Sequence, residues 1–130
     1  HGTTYGGNPL AMAVGNAVLD IVLSEGFLDH VREMGLLLKQ RLAEVQDRHP
    51  SIVELVRGEG LMLGVKLRVN NGDFAAAARA EHLLVIPAGD NVVRLLPPLV
   101  ITEADALEAV SRLDAACARM EANLNNGAKA

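Results

Sequence analysis

Aromatic residues are scarce in this sequence. It has no tryptophan, one tyrosine (Tyr5) and two phenylalanines (Phe27 and Phe74), so any core must be packed from aliphatic side chains. A single cysteine, Cys117, excludes an internal disulfide and any cysteine-built metal cluster. The four histidines show no spacing that suggests a zinc site, and none joins a Ser-His-Asp pattern. Lysine and arginine are scattered singly, as at Arg32, Lys39, Arg57, Lys66 and Arg68, and the formal net charge is −4. Without a basic cluster there is no electrostatic footprint for a nucleic acid. Asn16 and Asp20 interrupt the most apolar segment, so no run reaches the roughly 20 residues of a membrane span.

What remains is a globular balance. Half of the 130 residues are apolar and 22% are charged, enough to bury one substantial core. Cys117 lies in a helical stripe with Leu113 and Met120, which predicts a buried apolar residue and a cytoplasmic compartment.

Asn8 followed by Pro9 reads as a helix start, because Asn accepts from first-turn amides and Pro has no donor to lose there. Leu10, Val14, Ala17, Val18 and Ile21 continue at helical spacing, with Gly26 as the expected terminator. This helix is apolar on most sides, more than a surface helix needs, which predicts burial against something outside the chain. A second helix carries Leu28, Val31, Gly35, Leu38, Leu42 and Val45, and Pro50 blocks its continuation. His30 and His49 fall at positions expected to be solvated.

The period then shifts to two. Ile52 to Val56 reads as a strand, Arg57-Gly58-Glu59-Gly60 as a turn, and Leu61, Leu63, Val65 and Leu67 as the apolar face of a second strand. Asn70 to Gly72 reads as a loop before an alanine-rich helix over 73–82. "LLVIP" and "NVVRLLPP" supply two more strands, and Thr102 with Asp105 caps a last helix. The order is ααββαββα, an α+β fold with an antiparallel sheet and helices packed on it.

Three places could carry chemistry. In "HGTTYGGNP" the hydroxyls of Thr3 and Thr4, the glycines Gly6 and Gly7 and a helix N-terminus suit an oxyanion such as phosphate. The same residues would also serve as a plain capping loop. Arg94 stands among Val92, Val93, Leu95 and Leu96 before Pro97-Pro98. Its planar fork suits a carboxylate, while an outward-pointing arginine on an edge strand fits the pattern equally well. The third is "RGEG" (Arg57 to Gly60), where glycines flanking Glu59 could let the turn approach a ligand, although a plain hairpin turn explains it more simply. None of these places supplies an obvious nucleophile or base. On these residues alone, a stand-alone module that binds an anion or mediates assembly is one reading, and part of an enzyme is another.

Three motifs in order, "HGTTYGGNPLA", "VRGEGLMLGVKL" and "NVVRLLPPLVIT", resemble the C-terminal part of class III aminotransferases, most closely the acetylornithine branch. The resemblance covers the chain up to its tail. It implies a fold-type I enzyme dependent on pyridoxal 5′-phosphate, cytoplasmic and homodimeric, with residues 1–26 closing the large domain. Residues 27–124 would then form the C-terminal small domain, and 125–130 a disordered tail. It implies that Thr4, five positions before the proline, binds the cofactor phosphate of the neighbouring subunit, that Thr3 lies near substrate, and that Arg94 receives the substrate α-carboxylate. The Schiff-base lysine of the family would lie upstream of His1, so no catalytic residue is expected within the chain, which would be inactive alone. The implied reaction moves the δ-amino group of N-acetylornithine to 2-oxoglutarate in arginine biosynthesis. Ornithine, succinyl-diaminopimelate and 4-aminobutyrate enzymes share the loop and stand as alternatives.

Overall fold

The computed structural model describes residues 2–127, which contain four helices and four strands in the order ααββαββα. Two compact units divide between His30 and Val31.

In the first unit, Asn8 caps α1 (Pro9–Val22): its side-chain oxygen accepts from the Ala11 amide at 2.9 Å, with Pro9 in the first turn. The helix ends at Val22, where the Leu23 amide still reaches the Leu19 carbonyl. Gly26, expected to terminate α1, instead takes φ +82° in the turn that follows. Among the described residues α1 buries none of its side chains, and Leu10, Met12, Val18, Leu19 and Ile21 are all more than half exposed.

The second helix, α2 (Phe27–Arg48), begins in the first unit and runs on into the second, where it turns Leu38, Leu42 and Val45 inward, each 2% exposed or less. The four-stranded antiparallel sheet has the order β1-β2-β4-β3, with β1 (Val53–Glu59), β2 (Met62–Leu67), β3 (Ile86–Ala88) and β4 (Val92–Leu95). Leu63, Val65 and Leu67 alternate into the core, as their period-two spacing requires. Against them pack Phe74, Ala77 and Ala78 of α3 (Asn71–Ala80), with Ala106, Val110, Leu113, Ala116 and Cys117 of α4 (Glu103–Gly127). The core is aliphatic apart from Phe74.

The expected turn at residues 57–60 is corrected. Arg57, Gly58 and Glu59 belong to β1, Glu59 pairs with Met62, and only Gly60 and Leu61 form the turn. A two-residue hairpin needs positive φ at its first position, which Gly60 supplies at +53°. The alanine-rich helix starts two residues early because Asn70 is its cap, accepting from the Gly72 and Asp73 amides. Thr102 caps α4 as expected: its hydroxyl accepts from the Asp105 amide at 3.1 Å and donates to the Asp105 carboxylate at 2.6 Å. That helix runs to Gly127 and so takes in the first residues of the expected tail, while 128–130 and Lys129 lie outside the described residues.

Candidate functional site

The loop before α1 is built from its own side chains. The Thr3 hydroxyl oxygen accepts from the amides of Gly6 at 2.7 Å and Tyr5 at 3.2 Å, closing a tight turn. A Cβ at Gly6 would lie 2.9 Å from that oxygen, so the turn needs glycine there. Gly7 follows at φ +76°. Asn8 completes the loop by donating to the Tyr5 carbonyl at 2.7 Å. With both lone pairs engaged, Thr3 has only its hydroxyl hydrogen left to offer a ligand.

Thr4 differs. It is exposed, and among the described residues its hydroxyl makes no hydrogen bond. A free hydroxyl on a loop that opens a helix fits an anionic phosphate, because the hydroxyl donates and the helix dipole favours negative charge. The capping-loop reading therefore describes Thr3 and Asn8, and leaves Thr4 available.

Arg94 lies on β4, an inner strand between β2 and β3, and not at a sheet edge. Alternation sends Val93 and Leu95 into the core and Arg94 to the open face, so its apolar sequence neighbours do not bury it. Its guanidinium has no ion-pair or hydrogen-bond partner among the described residues. An open depression of about 270 Å³ on this face is lined by Arg57, Gly58, Met62, Gly64, Val92 and Arg94.

Arg57 stands in the "RGEG" candidate only as part of a turn, and Gly64 is a residue that sequence reasoning missed. Register pairs Arg57 with Gly64 and Gly64 with Arg94, so the three form one row across three strands. Period-two patterning could have placed each residue on a face. Only the pairing register puts them side by side. Arg57 meets Asp90 at 3.2 Å, and Lys66 on the same face meets Asp90 at 3.3 Å and Glu54 at 3.7 Å. The lysine beside Asp90, and then Arg57, hold its carboxyl below the ordinary range.

His49 corrects a second expectation, since it is 9% exposed. Its ring nitrogens lie 2.9 Å from Glu121 and 3.2 Å from Asp114, while the Ser51 hydroxyl donates to Glu121 at 2.6 Å. The group ties the end of α2 to α4. The Ser51 hydrogen bond, followed by that of His49, lowers the Glu121 pKa. Nearby Cys117 is fully buried as expected, and burial pushes its thiol up to about 12. Lys39 meets Glu59 at 3.8 Å, so both described lysines sit beside carboxylates.

The profile of the family described as aminotransferase class-III matches residues 1–117. The chain belongs to the class III aminotransferases. Acetylornithine aminotransferase of Agrobacterium fabrum is 61% identical over 122 residues, which are 94% of this chain and 31% of that protein. The Bacillus subtilis protein of the same name is 47% identical over an equal share. Among solved structures, acetylornithine aminotransferase from Elizabethkingia anophelis superposes with a TM-score of 0.83 at 31% identity, covering 92% of this chain and 31% of that one. Ornithine δ-aminotransferase of Plasmodium falciparum gives 0.86 at 30% identity, covering 95% and 33%. The chain thus spans about a third of the length of these class III relatives. Pyridoxal 5′-phosphate is the cofactor of the family, and the free Thr4 hydroxyl suits its phosphate.

Proposed function

We propose that this chain provides the phosphate-binding loop and one carboxylate receptor of an acetylornithine aminotransferase. The complete enzyme moves the δ-amino group of N-acetylornithine to 2-oxoglutarate, in arginine biosynthesis. The observation that carries this reading is the 61% identity to an acetylornithine aminotransferase across 94% of the chain. When bound, pyridoxal phosphate supplies the electron sink that lets an amino group pass between two substrates. Thr4 donates its hydroxyl to the cofactor phosphate and so fixes the position of the ring. Thr3 holds the loop in shape and offers one hydrogen toward substrate. Arg94 receives a substrate carboxylate on its planar fork, which orients the molecule as well as binding it.

The enzyme is cytoplasmic and works as a homodimer with shared sites, the loop of one subunit serving the cofactor of the other. The exposed apolar side of α1 supports this, because large bare apolar patches mark places that another surface covers. The 130-residue chain by itself has no transaminase activity, since neither Lys39 on a helix nor Lys66 on a strand matches the context of the family's Schiff-base lysine.

A second reading keeps the chemistry and changes the donor to ornithine, favoured by the 0.86 TM-score to an ornithine aminotransferase. Assay of the intact enzyme with N-acetylornithine, ornithine, succinyl-diaminopimelate and 4-aminobutyrate separates them. Preference for N-acetylornithine by kcat/KM is expected. Preference for unacetylated ornithine would reject the first reading in favour of the second.

A further inference from the structure

The open face of the sheet offers two guanidinium groups to one depression. Arg57 and Arg94 lie two strands apart, which places their Cα atoms roughly 10 Å from each other. Gly64 between them carries no side chain, and a Cβ there would come within 3.0 Å of Val92. Nothing fixed therefore stands between the two forks. A dicarboxylate arriving here would find two similar receptors and could bind in either orientation. A transfer reaction needs one orientation, because only one carbon of the acceptor reacts.

Asp90 breaks this symmetry. One carboxylate oxygen lies 3.2 Å from Arg57 and the other 3.3 Å from Lys66, whereas Arg94 has no carboxylate partner among the described residues. The carboxylate is held in place from below. Asp90 sits at φ +59° in the β3–β4 turn, and the next residue, Asn91, is bonded to the carbonyls of Leu67 and Val69. We propose that Asp90 is a specificity-determining residue, whose carboxylate occupies Arg57 and Lys66 and so leaves Arg94 as the cation that receives a substrate carboxylate. This rests on the reading of Arg94 given above. Exposed ion pairs are weak, so the effect is a bias between receptors and not an absolute block.

The test is calorimetric titration of the intact, cofactor-loaded enzyme with glutarate, a dicarboxylate that cannot react. Asp90→Asn removes the charge, and asparagine tolerates the positive φ, so the turn survives. The variant is expected to bind glutarate about fivefold more tightly than wild type, in line with the freeing of Arg57, while Lys66 keeps Glu54 as a second carboxylate at 3.7 Å. It should also show inhibition by excess 2-oxoglutarate at lower concentration. Adding Arg57→Gln and Lys66→Gln to Asp90→Asn should abolish both effects. Unchanged or weaker glutarate binding in Asp90→Asn overturns the proposal, as does a gain that persists without Arg57 and Lys66. Arg94→Gln separates the two levels: if it binds glutarate as wild type does, the Arg94 reading fails and this proposal with it. If Arg94→Gln is impaired and Asp90→Asn is unchanged, only the role of Asp90 is lost.

Discussion

Asn91 accepts the backbone N–H of Asn71 on its side-chain oxygen at 3.0 Å, and the two asparagines together hold the β3–β4 turn. The Asn91 amide donates to the carbonyls of Leu67 and Val69, at 2.7 and 2.8 Å. The Asn71 amide donates to Ala88 and Val92, at 2.9 and 3.1 Å. A turn with two consecutive non-glycine residues at positive φ, Asp90 and Asn91, is kept in that shape by bonds from outside it. Arg94 lies three residues further along the same hairpin.

Replacement of Asn91 by alanine removes three half-buried hydrogen bonds and leaves a Cβ-bearing residue at φ +53°. The expected loss is about 2–4 kcal/mol, from roughly 1 kcal/mol per bond and a similar cost for the left-handed backbone. Urea unfolding checks it. Asn91→Gly should recover about 1 kcal/mol of the loss, since glycine removes the backbone cost alone.

Gly35 on α2 faces the hairpin between β1 and β2. A Cβ there would lie 2.6 Å from the Gly60 carbonyl oxygen and 2.8 Å from its carbon, both backbone atoms that cannot swing away. Gly35→Ala is therefore destabilising by about 1–3 kcal/mol although alanine favours helices, and a lowered urea midpoint is the expected result. A rise in stability would show that the helix can lift from the turn at no cost.

Glu121 sets an acid limit. Its folded carboxyl is lowered from the ordinary value of 4.5, chiefly by the Ser51 hydroxyl and then by His49. The unfolded chain thus binds this proton at higher pH than the folded one. The stabilisation is present above about pH 4.5 and is lost as pH falls through the lower folded value. Unfolding midpoints measured from pH 7 to 3 should drop in the acid range, and Glu121→Gln should flatten part of that drop.

Thr4→Val removes the free hydroxyl while keeping the shape of the side chain. Loss of a hydrogen bond to an anion is worth about 1.5–3 kcal/mol, so cofactor dissociation from the intact enzyme should rise by about 10- to 150-fold. Thr4→Ser should retain most of the affinity. Equal affinity in Thr4→Val would remove Thr4 from the phosphate site.

The elements were legible wherever one local rule acted alone. The Asn8-Pro9 cap, the Thr102–Asp105 cap and the inward face of Leu63, Val65 and Leu67 follow from spacing and side-chain chemistry within a few residues. The site was legible only in part. Thr3 and Thr4 are both hydroxyl residues of one loop, and nothing in their order told which of them the Gly6 and Tyr5 amides would occupy.

By itself the sequence determined the ααββαββα order, the aliphatic core and the family to which the motifs belong, because periodicity, caps and turn residues act over short range. Tertiary structure alone decided the rest. Strand register brought Arg57, Gly64 and Arg94 into one row from three separate strands. Packing of α2 against α4 buried His49 between carboxylates that lie 65 and 72 positions along the chain. The pairing of residues so far apart depends on how whole elements dock, and a pattern read along one segment does not contain that information.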